Sequence, residues 1–323
     1  MKDDLFRFLK GFAMGAANVI PGVSGGTIAF ITGIYERLID ALKAIDTTTL
    51  RLVLKGRVRE AAVRVDLRFL VAIVAGVGGS FLTLAKALKW GFAHHETAVW
   101  AFFFGLIVAS LPAVGKMVKR WSAGPALALA AGLAVALSMA FLSPAGQNEN
   151  PFYLVLCGVV AMCSMIIPGL SGSFVLLLMG NYKLIMVDAL TALSDLELAA
   201  ALKILVPVGI GAVLGVLLLA RVLSWLFHTW HDIAVAMITG FIAGSLVIIW
   251  PWKDTITELF IRDGEEKVKI VGFERWHLPD FTTPGTWLAL GLMAVGAILI
   301  IALERVAKQG GREGEKTAGE RSS

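Results

Sequence analysis

Asn18, Pro21, Ser24, Gly25 and Gly26 interrupt an otherwise apolar stretch, GAANVIPGVSGGTIAFITGIYERLIDAL at 15–42. Pro21 bars a continuous helix, Gly22, Gly25 and Gly26 permit left-handed backbone, and Ser24 and Thr27 are good capping types. A helix restarting near Gly26 is expected to present several free N–H groups and the positive end of its dipole, with hydroxyls alongside. That is the chemistry of an anion site.

The motif occurs twice. In CSMIIPGLSGSFVLLLMGNYKLIMVDAL at 163–190, Ile167, Pro168, Gly169, Ser171, Gly172, Gly180 and Tyr182 match Ile20, Pro21, Gly22, Ser24, Gly25, Gly33 and Tyr35. Further on, Gly76, Trp90, Gly105 and Ser110 match Gly211, Trp225, Gly240 and Ser245 without a gap. Two broken segments in corresponding halves of an apolar chain point to a binding site at the repeat interface, where the two half-helix N-termini converge. Ser171 and Ser173 would then add donors to those of Ser24 and Thr27.

The elements that must position these residues follow from hydropathy. The 323 residues are 57% hydrophobic and 16% charged, with a mean hydropathy of +0.79. This excludes an ordinary soluble domain and predicts a multi-pass membrane protein. Apolar runs long enough to span fall at 69–90, 98–115, 124–142, 201–223, 233–250 and 286–303. The expected fold is all-α and integral to the membrane: six transmembrane helices plus two re-entrant motifs, as an inverted-topology repeat. The first repeat is expected over 1–143 with its motif at 12–42, and the second over 151–304 with its motif at 158–190. A disordered cytoplasmic tail is expected over 305–323.

Lys and Arg decide the orientation. Eight lie between Arg37 and Arg68, whereas the counterpart segment 183–203 holds only Lys183 and Lys203, and the loops at 91–98 and 143–151 hold none. Under the positive-inside rule both termini lie in the cytoplasm and the two motifs enter from opposite faces. In the outer segment 251–285, Asp263-Gly264 between alternating residues predicts a small hairpin. The start MKDDLFRFLKGF lacks a clean cleavage pattern and is expected to be retained.

Ionisable groups near the motifs are the next candidates. Arg37 and Lys183 follow the two tyrosines and could reach a bound anion; Glu36, Asp40 and Asp188 are candidate proton or sodium sites. Lys86 and Arg221, each four residues before a tryptophan, read as snorkelling anchors. His94, His95, His228 and His231 show no metal-like pairing with carboxylates and read as interfacial. Cys157 and Cys163 sit in an apolar run and imply no disulfide or zinc site. No metal, cofactor or nucleic-acid partner is expected.

The first block and its second copy resemble the polyprenyl-phosphate transporter family of bacteria and archaea, over most of the chain from Phe6 to Leu303. The resemblance implies translocation of undecaprenyl phosphate, returning the lipid carrier of envelope polymers from the outer to the inner leaflet of the cytoplasmic membrane. It carries over to Pro21, Gly22, Ser24, Gly25, Gly26, Pro168, Gly169, Ser171 and Gly172. The second copy departs at Ser173 and Phe174, where the first has Gly26 and Thr27, leaving open whether both halves contribute equally.

Two other readings stand beside it. Membrane-embedded undecaprenyl-diphosphate phosphatases are also inverted repeats with a similar Pro-Gly-x-Ser motif, but theirs is followed by Arg and accompanied by a glutamate pair. Here Ser24 and Ser171 precede glycines and GFAMGAAN at 11–18 has no acid, so the site is better equipped to bind phosphate than to break its ester. A secondary transporter of a small anion has the same sequence signature in its fold.

Overall fold

Short polar side chains set where several helices begin. Ser24, Asp46 and Asn150 each place a side-chain oxygen on a first-turn amide, of Gly26, Thr49 and Phe152 respectively, and Pro151 follows Asn150 at the first helical position. The computed structural model describes residues 2–18, 24–142, 144–262 and 265–320. Its helices are α1 (Lys2–Asn18), α2 (Gly25–Ile31), α3 (Tyr35–Lys43), α4 (Thr47–Leu54), α5 (Val58–Arg64), α6 (Leu67–Gly115) and α7 (Ala123–Ala140). The second half continues with α8 (Pro151–Ile166), α9 (Gly172–Leu178), a π-helical turn (Leu184–Asp188), α10 (Ala189–Ser194), α11 (Leu198–Thr229), α12 (His231–Ser245) and α13 (Pro284–Glu320).

Both motifs fold as helical hairpins. The Lys10 ammonium of α1 donates to Thr32 O beyond the end of α2, so α2 doubles back along α1; the Tyr153 hydroxyl does the same for α8 and α9 by donating to Met179 O. Each short helix ends in a glycine at positive φ, Gly33 at +70° and Gly180 at +73°. The next residue's amide reaches back in both, Ile34 N to Ala29 O and Asn181 N to Leu176 O, a Schellman-type stop that glycine permits.

The repeat-matched glycines do matching work. A Cβ on Gly76 would lie 2.1 Å from Phe8 O of α1, and one on Gly211 would lie 2.0 Å from Val155 O of α8. Likewise Gly105 of α6 rests on Met293 O of α13, and Gly240 of α12 rests on Leu129 O of α7. Only a residue without a side chain lets these backbones approach so closely.

Four described helical stretches are long and apolar enough to cross a membrane: His94–Gly115, Ala123–Ala140, Leu198–Thr229 and Pro284–Ala302. Their outward side chains, among them Val206, Ile210, Val213 and Ile298, are exposed apolar surface of the kind lipid covers. Several expectations are modified. The runs at 69–90 and 98–115 are two helical arms of α6 that meet at a sharp kink, with non-helical backbone at His95 (φ −143°, ψ 48°) and the Phe92 and Trp100 rings brought to 5.4 Å across it. The run at 233–250 is helical only to Ser245, and Trp250 and Pro251 follow a short turn. The basic segment 37–68 runs through α3, α4 and α5. The helix α13 runs from Pro284 to Glu320.

Polar contacts sort by end. Asp232 at the start of α12 accepts from the amides of Lys119 and Arg120, 3.0 Å each, just before α7, and Arg68 pairs with Asp4. At the far ends of those helices Lys253 sits over the Trp100 ring, 3.9 Å from its centroid, and Asn148 and Asn181 exchange two hydrogen bonds. The expected hairpin is present as antiparallel β1 (Asp254–Arg262) and β2 (Glu265–Glu274), with a bulge at Ile256/Thr257, and among the described residues these are the only strands; Asp263 and Gly264 lie outside the described residues.

Candidate functional site

Ser24 is extended (φ −106°, ψ 133°) and caps α2. The first-turn amides are all taken within the chain: Gly25 N donates to Asn18 Oδ1 at 2.7 Å, Gly26 N to Ser24 Oγ at 3.1 Å and Thr27 N to Ser24 O at 3.0 Å. Ser24, Gly25, Gly26 and Thr27 are buried. The expectation of several free donors at this helix start is therefore corrected: Asn18 and Ser24 supply the acceptors that an anion would otherwise provide. Pro21 and Gly22 lie outside the described residues.

Motif one instead braces motif two. The Ser24 hydroxyl donates to Met165 O at 3.1 Å, the Tyr35 hydroxyl donates to Ile166 O at 3.1 Å, and Thr27 Oγ1 accepts from Gly169 N at 2.7 Å. These three bonds satisfy backbone groups freed where α8 breaks, an accounting that buried backbone must meet. Tyr35 is buried and edge-on to Phe30 and Phe227. Its recurrence as Tyr182 marked it in the sequence, but not its bonding role.

In motif two Pro168 and Gly169 are buried, Gly169 at φ +87° against Phe241. Ser171 has nearly the backbone of Ser24 (φ −110°, ψ 123°), yet its side chain makes no capping hydrogen bond to the first turn of α9. Its hydroxyl lies 2.9 Å from that of Ser173, which is exposed, while Ser171 is half-buried and Gly172 buried. One sequence pattern thus yields a closed, self-capped helix start in motif one and an uncapped one in motif two.

The charged candidates lie apart from the motif backbone. Arg37 is exposed, pairs with Asp66 at 2.6 Å and covers Phe69. Lys183 and Asp188 are exposed at the two ends of the π-helical turn. Asp40 accepts from Ser224 at 2.7 Å, and Lys43 donates to the same hydroxyl at 3.0 Å. His231, expected to lack carboxylate pairing, has Nε2 3.4 Å from Glu36 and Nδ1 3.4 Å from Asp232. Arg221 is exposed and bonded to Leu217 O; the Lys86 side chain lies outside the described residues.

A separate cavity of about 410 Å³ lies at the far end of α12, lined by Glu96, Trp100, Lys253, Asp254, Glu274 and Arg275 among others. Its carboxylates outnumber its cations, so it is a poor place for a phosphate despite its volume. Burial pushes the Lys253 ammonium down to about 7, against the pull of Glu96.

Comparison with known proteins adds an independent observation. Residues 14–267 match the family described as VCA0040-like, undecaprenyl phosphate translocase-like. A polyprenyl-phosphate transporter of Vibrio cholerae is 35% identical over 312 residues, covering 94% of this chain and 97% of that one. Another of Staphylococcus aureus is 28% identical over 262 residues, covering 77% and 87%. No solved structure matches the chain. The extent of the family match, reaching through both broken motifs, means that the chain belongs to the VCA0040-like family of undecaprenyl phosphate translocase-like proteins.

Proposed function

We propose that this membrane protein moves polyprenyl phosphate between leaflets, returning it from the outer to the inner one, with the phosphate held where the two motifs meet. The observation that carries the reading is the direct bond between them, Gly169 N to Thr27 Oγ1, which brings both broken segments to one interior locus. Ser171, Gly172 and Ser173 form the open side of the site. Asn18, Ser24, Gly25, Gly26 and Thr27 hold it from behind, and Arg37 and Lys183 act in approach rather than in the bound state.

The matching helix stops at Gly33 and Gly180 and the matching Gly76/Gly211 and Gly105/Gly240 contacts support an inverted repeat of three spans per half, at 1–143 and 151–304 with both termini in the cytoplasm. On this reading α6 supplies two spans, bent at His95.

The physics suits a lipid phosphate. A phosphomonoester carries about −1.5 to −2 charges at neutral pH, and hydrocarbon imposes a prohibitive cost on such a group without a polar path. Uncapped amides and hydroxyls offer donors while the prenyl tail stays in lipid. Inward movement of the anion opposes an inside-negative potential by about 2.3 kcal/mol per charge per 100 mV, so we assign cation coupling, by proton or sodium, to Glu36, Asp40 or Asp188.

Ester cleavage finds no support. The Ser24 hydroxyl is bonded to Met165 O and Gly26 N, and that of Ser171 to Ser173, so neither faces a base that would make it a nucleophile. A small-anion transporter is the remaining alternative. The test is sealed proteoliposomes containing labelled polyprenyl phosphate, following leaflet movement and phosphate release together. Movement without release, inhibited by short prenyl phosphates but not by inorganic phosphate, is expected; release from polyprenyl diphosphate, or inhibition by inorganic phosphate alone, overturns the reading.

A further inference from the structure

His231 lies between two carboxylates on different helices, Glu36 of α3 at Nε2 and Asp232 of its own helix at Nδ1, 3.4 Å from each. A neutral imidazole carries one N–H and turns a lone pair on the other carboxylate; only the imidazolium presents N–H to both. The ring is half-buried, as is Asp232, and Glu36 is exposed, so a proton reaches it from water. Asp232 is held in place by the amides of Lys119 and Arg120. Other titratable groups stand close by: His228, whose Nδ1 lies 2.7 Å from Ser224 O, and the Lys43–Ser224–Asp40 chain between α3 and α11.

The same imidazole packs edge-on against Phe227, with ring centroids 6.2 Å apart, and Phe227 packs against Tyr35 at 5.7 Å. The Tyr35 hydroxyl holds Ile166 O at the break of motif two. A continuous line of packed groups therefore joins the ion cluster to the backbone beside Ser171.

We propose that His231, with Glu36 and Asp232, is a proton-binding site whose occupancy sets how firmly α3, and through Tyr35 the broken backbone of motif two, is held. A proton taken from water forms one N–H bond on the imidazole and clamps α3 to α12; its loss releases the clamp. The inference rests on the transport reading for its purpose, since it names the coupling ion as a proton and adds His231 to the carboxylate candidates. The site itself does not depend on that reading.

Two measurements on the full chain separate the two. In nanodiscs without substrate, amide exchange of 164–170 and 35–43 is followed between about pH 6 and about pH 8, where histidine sites commonly change charge, and corrected for the intrinsic pH dependence of exchange. Protection in the wild type is expected to fall about three-fold with rising pH, as suits a part-exposed ion cluster. His231→Gln and His231→Arg are expected to be flat, the first released and the second clamped, with Glu36→Gln reducing the slope. A wild type with no slope, or a folded His231→Gln that keeps it, overturns the proposal; if His231→Gln does not fold, an unchanged slope in Glu36→Gln does so.

In proteoliposomes the pH on the face bearing α3 is varied alone. A rate that follows it in the wild type but not in His231→Gln supports coupling, and a rate that follows it equally in both overturns it. A wild type that moves no lipid at any pH while the exchange slope is present defeats the transport reading and leaves the proton site standing.

Discussion

The amide of Gly169 donates to the hydroxyl of Thr27 across 2.7 Å, linking two motifs 142 residues apart in a fully buried bond. It satisfies the backbone donor of a glycine at φ +87°, in a segment that has left the helix and cannot find an intrahelical partner.

Thr27→Val removes the acceptor and keeps the shape. A buried unsatisfied amide costs about 1–3 kcal/mol, so the melting temperature in detergent is expected to fall and lipid movement with it. Thr27→Ser keeps the oxygen and is expected to retain most of both; equal losses in the two variants would mean that the methyl, not the bond, matters.

The two capping serines are expected to separate stability from transport. Ser24→Ala loses the bond from Gly26 N and the donation to Met165 O, at a cost of roughly 1 kcal/mol in stability. Ser171→Ala with Ser173→Ala disturbs no backbone bond of α9 and is expected to leave the melting temperature nearly unchanged while slowing polyprenyl-phosphate movement about ten-fold, a loss of ~1.4 kcal/mol in transition-state binding. Paired melting and transport assays on the same preparations check this.

Gly33 and Gly169 both have positive φ but differ in surroundings. Nothing lies near a Cβ on Gly33, whereas one on Gly169 would be 2.6 Å from the Phe241 backbone. Gly33→Ala is expected to cost only the left-handed strain, about 1–2 kcal/mol. Gly169→Ala must also push α12 away, and is expected to yield little folded protein by size-exclusion chromatography.

Lys253 confers a pH dependence of definite sign. Its folded-state value is about 7 against an ordinary 10.5, so between those limits the unfolded chain binds more protons at this residue and folding stability rises with pH. Below about pH 7 both states are protonated and the contribution is flat. Comparing melting temperatures of wild type and Lys253→Met across that window should isolate a rising difference; a falling one would contradict the buried, neutral-favouring site.

Much of the architecture was legible in the residues themselves. Apolar runs, paired Pro-Gly-x-Ser-Gly breaks and the spacing of Gly33/Gly180 and Gly76/Gly211 specify helices, their interruptions and their close approaches, because these depend on local backbone freedom and on hydropathy. The β1–β2 hairpin followed from alternation about Asp263-Gly264. The sharp kink between the two arms of α6, by contrast, falls at His95, where no proline announces it in the sequence.

Tertiary structure decided which donors remain available. Ser24 and Ser171 adopt almost the same backbone, as their shared motif requires, but hydrogen bonding depends on neighbours. Asn18 stands where the second copy has Met165, and an amide side chain accepts from Gly25 N where a thioether gives no such cap to Gly172. Thr27 stands where the second copy has Phe174, so only one half can accept from the backbone at its partner's helix break. The local sequence sets the conformation of a helix start; the side chains brought against it from elsewhere in the fold determine whether its N–H groups are already bonded or remain uncapped.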